Sequence, residues 1–193
     1  LSPWCSNVEL WQRKTGRKAA PDISDNAAVR YGHDAEPLIR QLFALDYADK
    51  YSVAYGGAFD MVRHPKHPFI FATLDGRLTE VKTGRKGILE IKTTSILRSM
   101  QKEKWWKDGK PAIPDQYYCQ VLWQMIASGF DFAVLHAQFR YEYGEEPRFE
   151  RRTYTIERKD VADDLAYLEA AGVRFWTENV MGDREPDLIL PEI

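Results

Sequence analysis

Between Tyr51 and Thr93 the sequence breaks into five short runs rich in β-branched and aromatic residues: Tyr51 to Tyr55, Ala58 to Val62, Phe69 to Thr73, Gly76 to Val81 and Gly87 to Thr93. This stretch constrains the fold most, because such runs separated by turn residues predict strands, here a meander with a loop around Lys82 to Lys86. Helical signals stand on both sides of it. One helix is expected from about Asn7 to Thr15, with Ser6 as N-cap and Gly16 as stop. A second is expected from about Asp25 to Leu45, with Ala35, Ile39, Leu42 and Phe43 on one side and Pro37 expected to kink or restart it. Pro114 to Ser128 predicts a third, closed by Gly129; Phe132 to Arg140 and Arg151 to Arg158 predict two more strands; and Val161 to Val180 predicts a last helix. The expectation is an α/β (α+β) fold, a mixed central sheet packed between helices.

At 193 residues the chain is expected to form a single domain, 1–193. Twenty-seven basic against 29 acidic side chains leave no global positive charge to advertise a polyanionic partner. The charge is unevenly spread, however. Lys82 to Lys110 holds nine basic and three acidic residues, whereas Asp160 to Ile193 holds nine acidic and two basic, so one surface can attract a polyanion while another repels it. Cys5 and Cys119 form no CxxC pair, which excludes a disulfide framework and a four-cysteine metal or iron–sulfur site. With no apolar run near the roughly 20 residues of a membrane span, a cytoplasmic protein is expected. Leu1 is not an initiator methionine, and residues upstream of it are expected.

The chemistry concentrates in Thr73-Leu-Asp-Gly followed by Gly87-Ile-Leu-Glu-Ile-Lys-Thr-Thr. On a strand, side chains alternate, so Glu90 and Lys92 share one face while Leu89 and Ile91 enter the other layer. Asp75 precedes Gly76 where a turn is expected, and a hairpin brings its carboxylate against Glu90. Two carboxylates that close raise a pKa unless a cation neutralises them, and hard oxygen ligands suit Mg2+, with Mn2+ as a substitute. Lys92 adds a cation able to orient a water or to stabilise charge on a phosphate. Taken alone, Glu-x-Lys on a strand is equally an exposed ion pair, and Asp75-Gly76 merely a turn.

Two further pieces lie outside this hairpin. Tyr31-Gly-His-Asp-Ala-Glu36 places an acid on the second helix, where it either reaches the metal, directly or through water, or stays a solvated glutamate. Tyr117-x-x-Gln120 places a phenol and an amide one turn apart on one face of the third, positioned to fix a water or the scissile phosphate or else to pack beside the core. Lys102-Glu-Lys104-Trp105-Trp106-Lys107-Asp-Gly-Lys110 mixes positive charge with two indoles, suited to a DNA backbone and an unpaired base, or to a loop whose tryptophans pack on a neighbour. Arg85 and Lys86, in the expected loop, either meet phosphates or face solvent. His64-Pro-Lys-His67-Pro is read as a polar turn between strands rather than a zinc site.

The ordered set Tyr-Gly-x-x-x-Glu36, Leu-Asp75-Gly, Leu-Glu90-Ile-Lys92 and Tyr117-x-x-Gln120-Val resembles the lambda exonuclease family, the YqaJ-type phage recombination nucleases of the PD-(D/E)xK superfamily. The opening Ser2-Pro3-Trp4, Glu9-Leu-Trp11 and Lys14-Thr-Gly16 resemble the N-terminal part of the same relatives, so the likeness spans nearly the whole sequence. Leu74 stands where the superfamily name has Pro. The resemblance implies a restriction-endonuclease-like fold and a Mg2+-dependent 5′-to-3′ double-stranded DNA exonuclease that releases 5′-mononucleotides. It further implies a ring-shaped trimer, DNA ends as substrate, and a single-strand annealing protein as a possible companion. Carried over residue by residue, Asp75 and Glu90 become metal ligands with the backbone carbonyl of Ile91 and help from Glu36; Lys92 activates the nucleophile and Gln120 supports the site. The relatives' residues for the 5′-terminal phosphate lie upstream of the Ser-Pro-Trp segment. The rival readings are a structure-selective or restriction-type endonuclease and a nuclease fold that only binds DNA.

Overall fold

Local chemistry sets most helix boundaries. Ser6 is extended and its Oγ accepts the Glu9 N–H at 3.1 Å, which starts helix α1, Asn7–Lys14. Asn26 accepts from Ala28 and Val29 in the same way and starts α2, Ala27–Asp46. Of the two outcomes expected at Pro37, the restart does not occur, since α2 runs on through it. The proline forgoes one hydrogen bond, and burial of Ile39 and Phe43 just beyond it, worth about 1.5–3 kcal/mol each, offsets that loss. Helix α3, Asp115–Ser128, ends on Gly129 at φ 71°, a left-handed conformation that glycine adopts without a Cβ penalty.

The computed structural model describes residues 4–57, 60–96, 104–107, 110–141, 146 and 148–191. Its strands are β1 (Tyr51–Ala54), β2 (Met61–Arg63), β3 (Phe71–Thr73), β4 (Gly76–Glu80), β5 (Lys86–Ile96), β6 (Trp106–Lys107), β7 (Lys110–Pro111), β8 (Phe132–Tyr141) and β9 (Arg148–Glu157). Ala58 and Phe59, part of one expected strand, lie outside the described residues. The expected meander is corrected in one way. The central sheet runs β1-β4-β5-β8-β9, while β2 and β3 form a separate hairpin. Beyond the meander, β8 lies parallel to β5, in register from Gly87↔Phe132 to Ile96↔Tyr141, because α3 carries the chain back across the sheet between them, and this makes the sheet mixed as expected. Strand β8 is buried along most of its length, as a central strand covered on both faces must be.

The sheet is covered on two sides. Ile39 and Phe43 of α2 pack with Tyr51, Leu78, Leu89, Ile91, Phe132 and Val134. On the other face Val121, Leu122, Met125 and Ile126 of α3 pack with Ile88, Ala133, Leu135 and Phe139. The expected last helix divides into a 3-10 turn at Arg158–Val161, α4 at Ala162–Arg174, and a π-helical turn at Phe175–Met181. The result is a mixed α+β domain with its sheet between helices, as expected.

Candidate active site

Strand β4 begins at Gly76, which pairs with Leu89, so one edge of β5 is uncovered by β4 beyond that point. Asp75 fills the gap: its Oδ2 accepts the Ile91 N–H at 2.7 Å in place of a ladder partner. Because a strand residue turns its N–H and C=O toward the same neighbour, the Ile91 carbonyl also faces the Asp75 side. Gly76 suits this close approach, since a Cβ would come within 3.3 Å of the Leu89 side chain and push it aside by a few tenths of an ångström.

Glu90 points toward α3 and is 2% exposed. Its Oε1 accepts from Gln120 Nε2 at 2.7 Å and meets Lys92 Nζ at 2.6 Å, and its Oε2 accepts from Gln124 Nε2 at 2.6 Å. A carboxylate offers about four lone-pair positions, so one remains for a further partner. The Lys92 ammonium lies 5.1 Å from the centre of the Tyr117 ring. From α2, Glu36 reaches the same corner, its Oε1 accepting from Arg40 Nη1 at 2.8 Å, and that Nη1 also donates to the Asp75 carbonyl at 2.7 Å.

The electrostatics register this crowding. Burial, reinforced by the Glu90 and Glu36 carboxylates, pushes the Asp75 carboxyl up to about 8, against the pull of the Ile91 N–H and Lys92. Burial works against the Lys92 ammonium, but Glu90, through charge and hydrogen bond, and Asp75 outweigh it and hold its pKa above the ordinary lysine value. Asp75, Glu90, Glu36 and the Ile91 carbonyl form an oxygen-only donor set, and a divalent cation would relieve their mutual repulsion, so the residues fit Mg2+ or Mn2+. The three carboxylates do not crowd within 4.8 Å of one another as a set; among the described residues only His64, His67 and Glu169 place three metal-type ligand atoms that close. In that second group, however, His64 Nδ1 accepts the Lys66 and His67 N–H groups at 3.2 and 3.1 Å. The neutral ring then carries its proton on Nε2, the atom turned to Glu169 at 3.6 Å, and has no lone pair there for a metal. His64 and His67 do lie in a turn between β2 and β3, and Glu169 adds a third potential ligand that the sequence did not reveal.

The other expected site residues divide. Asp75, Glu90, Lys92, Glu36, Ile91, Gln120 and Tyr117 come together from α2, the start of β4, β5 and α3. Two expected DNA contacts are corrected. Trp105 is 2% exposed and packs with Tyr117, Phe139 and Tyr154, so its indole belongs to the core and cannot receive a base. Arg85 is bound by Glu80 and by both oxygens of Glu157, at 2.8 and 3.0 Å, and is already paired; it lies five residues along β5 from Glu90, roughly 17 Å. Lys86 donates to Thr79 Oγ1 at that same far end. Trp106 is partly buried under the Arg152 guanidinium, whereas Lys104 and Lys107 are exposed. Lys102, Glu103, Asp108 and Gly109 lie outside the described residues.

Sequence reasoning missed Gln124 and Arg40. Gln124 is one helical turn beyond Gln120, which was a usable signal: Tyr117, Gln120 and Gln124 recur at i, i+3 and i+7 on one face. Arg40 stands one turn beyond Glu36 but reads as an ordinary ion-pair partner.

Comparison with known proteins bears on the fold and the family. No curated protein matches the sequence. Among solved structures, an alkaline exonuclease (LHK-Exo) from Laribacter hongkongensis superposes with a TM-score of 0.51 at 17% identity, over 92% of this chain and 84% of that one. The same enzyme in complex with dAMP gives a TM-score of 0.49 at 20% identity, over 91% and 84%. At such identity the first likeness speaks for the fold alone. The family profile described as the YqaJ-like viral recombinase domain matches residues 1–131, which include every member of the corner just described, and the chain belongs to that family.

Proposed function

We propose that the protein is a Mg2+-dependent 5′-to-3′ double-stranded DNA exonuclease of phage-type recombination. The observation that carries the reading is Asp75 seated on the open edge of β5 through the Ile91 N–H, beside Glu90 and Lys92, in a chain of the YqaJ-like family. A fold shared with an alkaline exonuclease supports it without proving catalysis.

Asp75, Glu90 and the Ile91 carbonyl would hold the ion, with Glu36 joining directly or through water. When bound, the divalent ion supplies Lewis-acid polarisation of the scissile phosphodiester and lowers the pKa of water. The rest falls to the chain's own groups. Lys92, held as an ammonium by Glu90, cannot take a proton at neutral pH; it donates hydrogen bonds that orient the attacking water and offset charge growing on the phosphate. Gln120 and Gln124 fix the Glu90 carboxylate so that one lone pair stays directed outward. Exposed Lys104 and Lys107 extend a basic surface beyond the Tyr117 side.

Linear duplexes bearing a 5′ phosphate or a 5′ hydroxyl, incubated with Mg2+ and with chelator, test reaction, polarity and cofactor together. The expected result is release of mononucleotides from 5′ ends, faster from the phosphorylated end and absent with chelator. Cutting of covalently closed circles, or degradation that survives chelation, overturns the reading.

A further inference from the structure

Arg40 is the charged group that the proposed chemistry leaves without a task, and it is 9% exposed. A buried guanidinium costs several kcal/mol unless its surroundings repay it. Here the repayment comes from the candidate site itself. Nη1 donates at once to Glu36 Oε1, 2.8 Å away on α2, and to the Asp75 main-chain carbonyl, 2.7 Å away at the entry to β4. The guanidinium carbon stands over the Tyr55 ring, 3.5 Å from its centre, within cation–π range. Its Cδ lies beside Gly76, 3.6 Å from where a Cβ there would sit.

We infer that Arg40, held by Tyr55, is a positioning residue: it ties the carboxylate of α2 to the Asp75 turn and so presets the spacing of two cation-binding elements that belong to different parts of the chain. This rests on the proposed cation site. Without the tie, Glu36 loses the hydrogen bond that holds it among the described residues, and the Asp75 carbonyl loses the Arg40 donor. The inference makes a prediction of definite sign, because a cation next to a cation site has two opposite effects. If Arg40 acted only through its charge, removing it would lessen repulsion and tighten binding of a divalent ion. As a positioning group, its removal loosens binding, and supporting partners of this kind are worth about 10- to 100-fold in metal affinity.

Mn2+ binding measured by calorimetry on the full chain, for the wild type, Arg40→Gln, Arg40→Lys, Tyr55→Leu and Asp75→Asn, decides between them. We expect Arg40→Gln to weaken Mn2+ affinity about tenfold or more. Arg40→Lys, which keeps the charge but not the planar fork, should weaken it less, and Tyr55→Leu, which leaves every carboxylate in place, about threefold. In the nuclease assay the Mg2+ concentration for half-maximal rate should rise in the same order, with KM for duplex ends unchanged and excess Mg2+ restoring part of the rate. Equal or tighter Mn2+ binding in Arg40→Gln and Tyr55→Leu, with Asp75→Asn abolishing it, overturns the role of Arg40 and leaves the cation site standing. Undetectable Mn2+ binding in the folded wild type overturns the site and this inference together.

Discussion

Two corners of the molecule gather potential metal ligands, and they differ in how their atoms are already engaged. His64, His67 and Glu169 sit closer together, yet the His64 ring has spent its Nδ1 lone pair on two backbone N–H groups, and its stacked partner His67 faces the same carboxylate, 4.0 Å away. Asp75, Glu90 and Glu36 stand wider, but each keeps oxygen lone pairs in reserve, and burial together with the Glu90 and Glu36 charges raises the Asp75 pKa. Proximity is therefore a poor guide to a metal centre. What counts is unspent donor capacity and electrostatic tension that a cation would relieve.

The sharpest way to break this comparison is to disarm both corners. Asp75→Ala and Lys92→Ala should each reduce cleavage by a factor on the order of 1,000 or more while duplex binding at moderate salt, followed by anisotropy, changes little. The double variant His64→Ala/His67→Ala should keep its rate within about twofold. A comparable loss in the histidine variant would invert the assignment.

Gln124→Leu comes next in size. It removes the donor to Glu90 Oε2 from a site that is 3% exposed, so a roughly 10- to 100-fold loss of rate is expected, with about 1–3 kcal/mol of stability lost in urea titrations. Wild-type kinetics would confine Gln124 to packing.

The raised Asp75 pKa gives a smaller effect with a definite sign. The folded, ion-free protein holds this proton up to about pH 8, whereas the unfolded chain releases it near the ordinary aspartate value. Stability in chelator should therefore fall as pH climbs between those limits and level off above 8, and Mn2+ affinity should climb over the same window as binding releases the proton. Asp75→Asn should flatten the stability slope and raise the melting temperature at pH 7.5, by the equivalent of about 1 kcal/mol or more. A pH-independent melting temperature in the wild type would remove the tension on which the comparison rests. Least of all, Glu169→Gln should alter stability by no more than about 0.5 kcal/mol, because its contacts with the histidines, at 3.6 and 4.0 Å, are long and partly exposed. A larger loss would give that corner a structural role it otherwise lacks.

Much of this was legible in the order of residues. Alternation on a strand set Glu90 and Lys92 against Leu89 and Ile91, and that pattern depends only on the two-residue repeat of an extended chain. The N-cap at Ser6 and the stop at Gly129 were equally local, each a matter of one side chain or one missing Cβ meeting the nearest backbone groups. The four spaced motifs also pointed to the family.

The partners reached across the fold were not legible. Whether Trp105 meets a base or the core depends on where α3 and β9 bring Tyr117 and Tyr154, and whether Arg85 is available depends on Glu157, 72 residues away. Strand order is of the same kind, since parallel pairing of β5 with β8 requires the α3 crossover, whereas a run of short strands reads locally as a meander. Arg40 is the clearest case: its distance to Glu36 is a property of helical repeat, but its hold on the Asp75 carbonyl and its seat on Tyr55 exist only once α2 has docked on the sheet. Short-range geometry follows from covalent structure and backbone sterics, so residue order determined it; charge compensation and burial are sums over distant neighbours, and only the folded chain decided them.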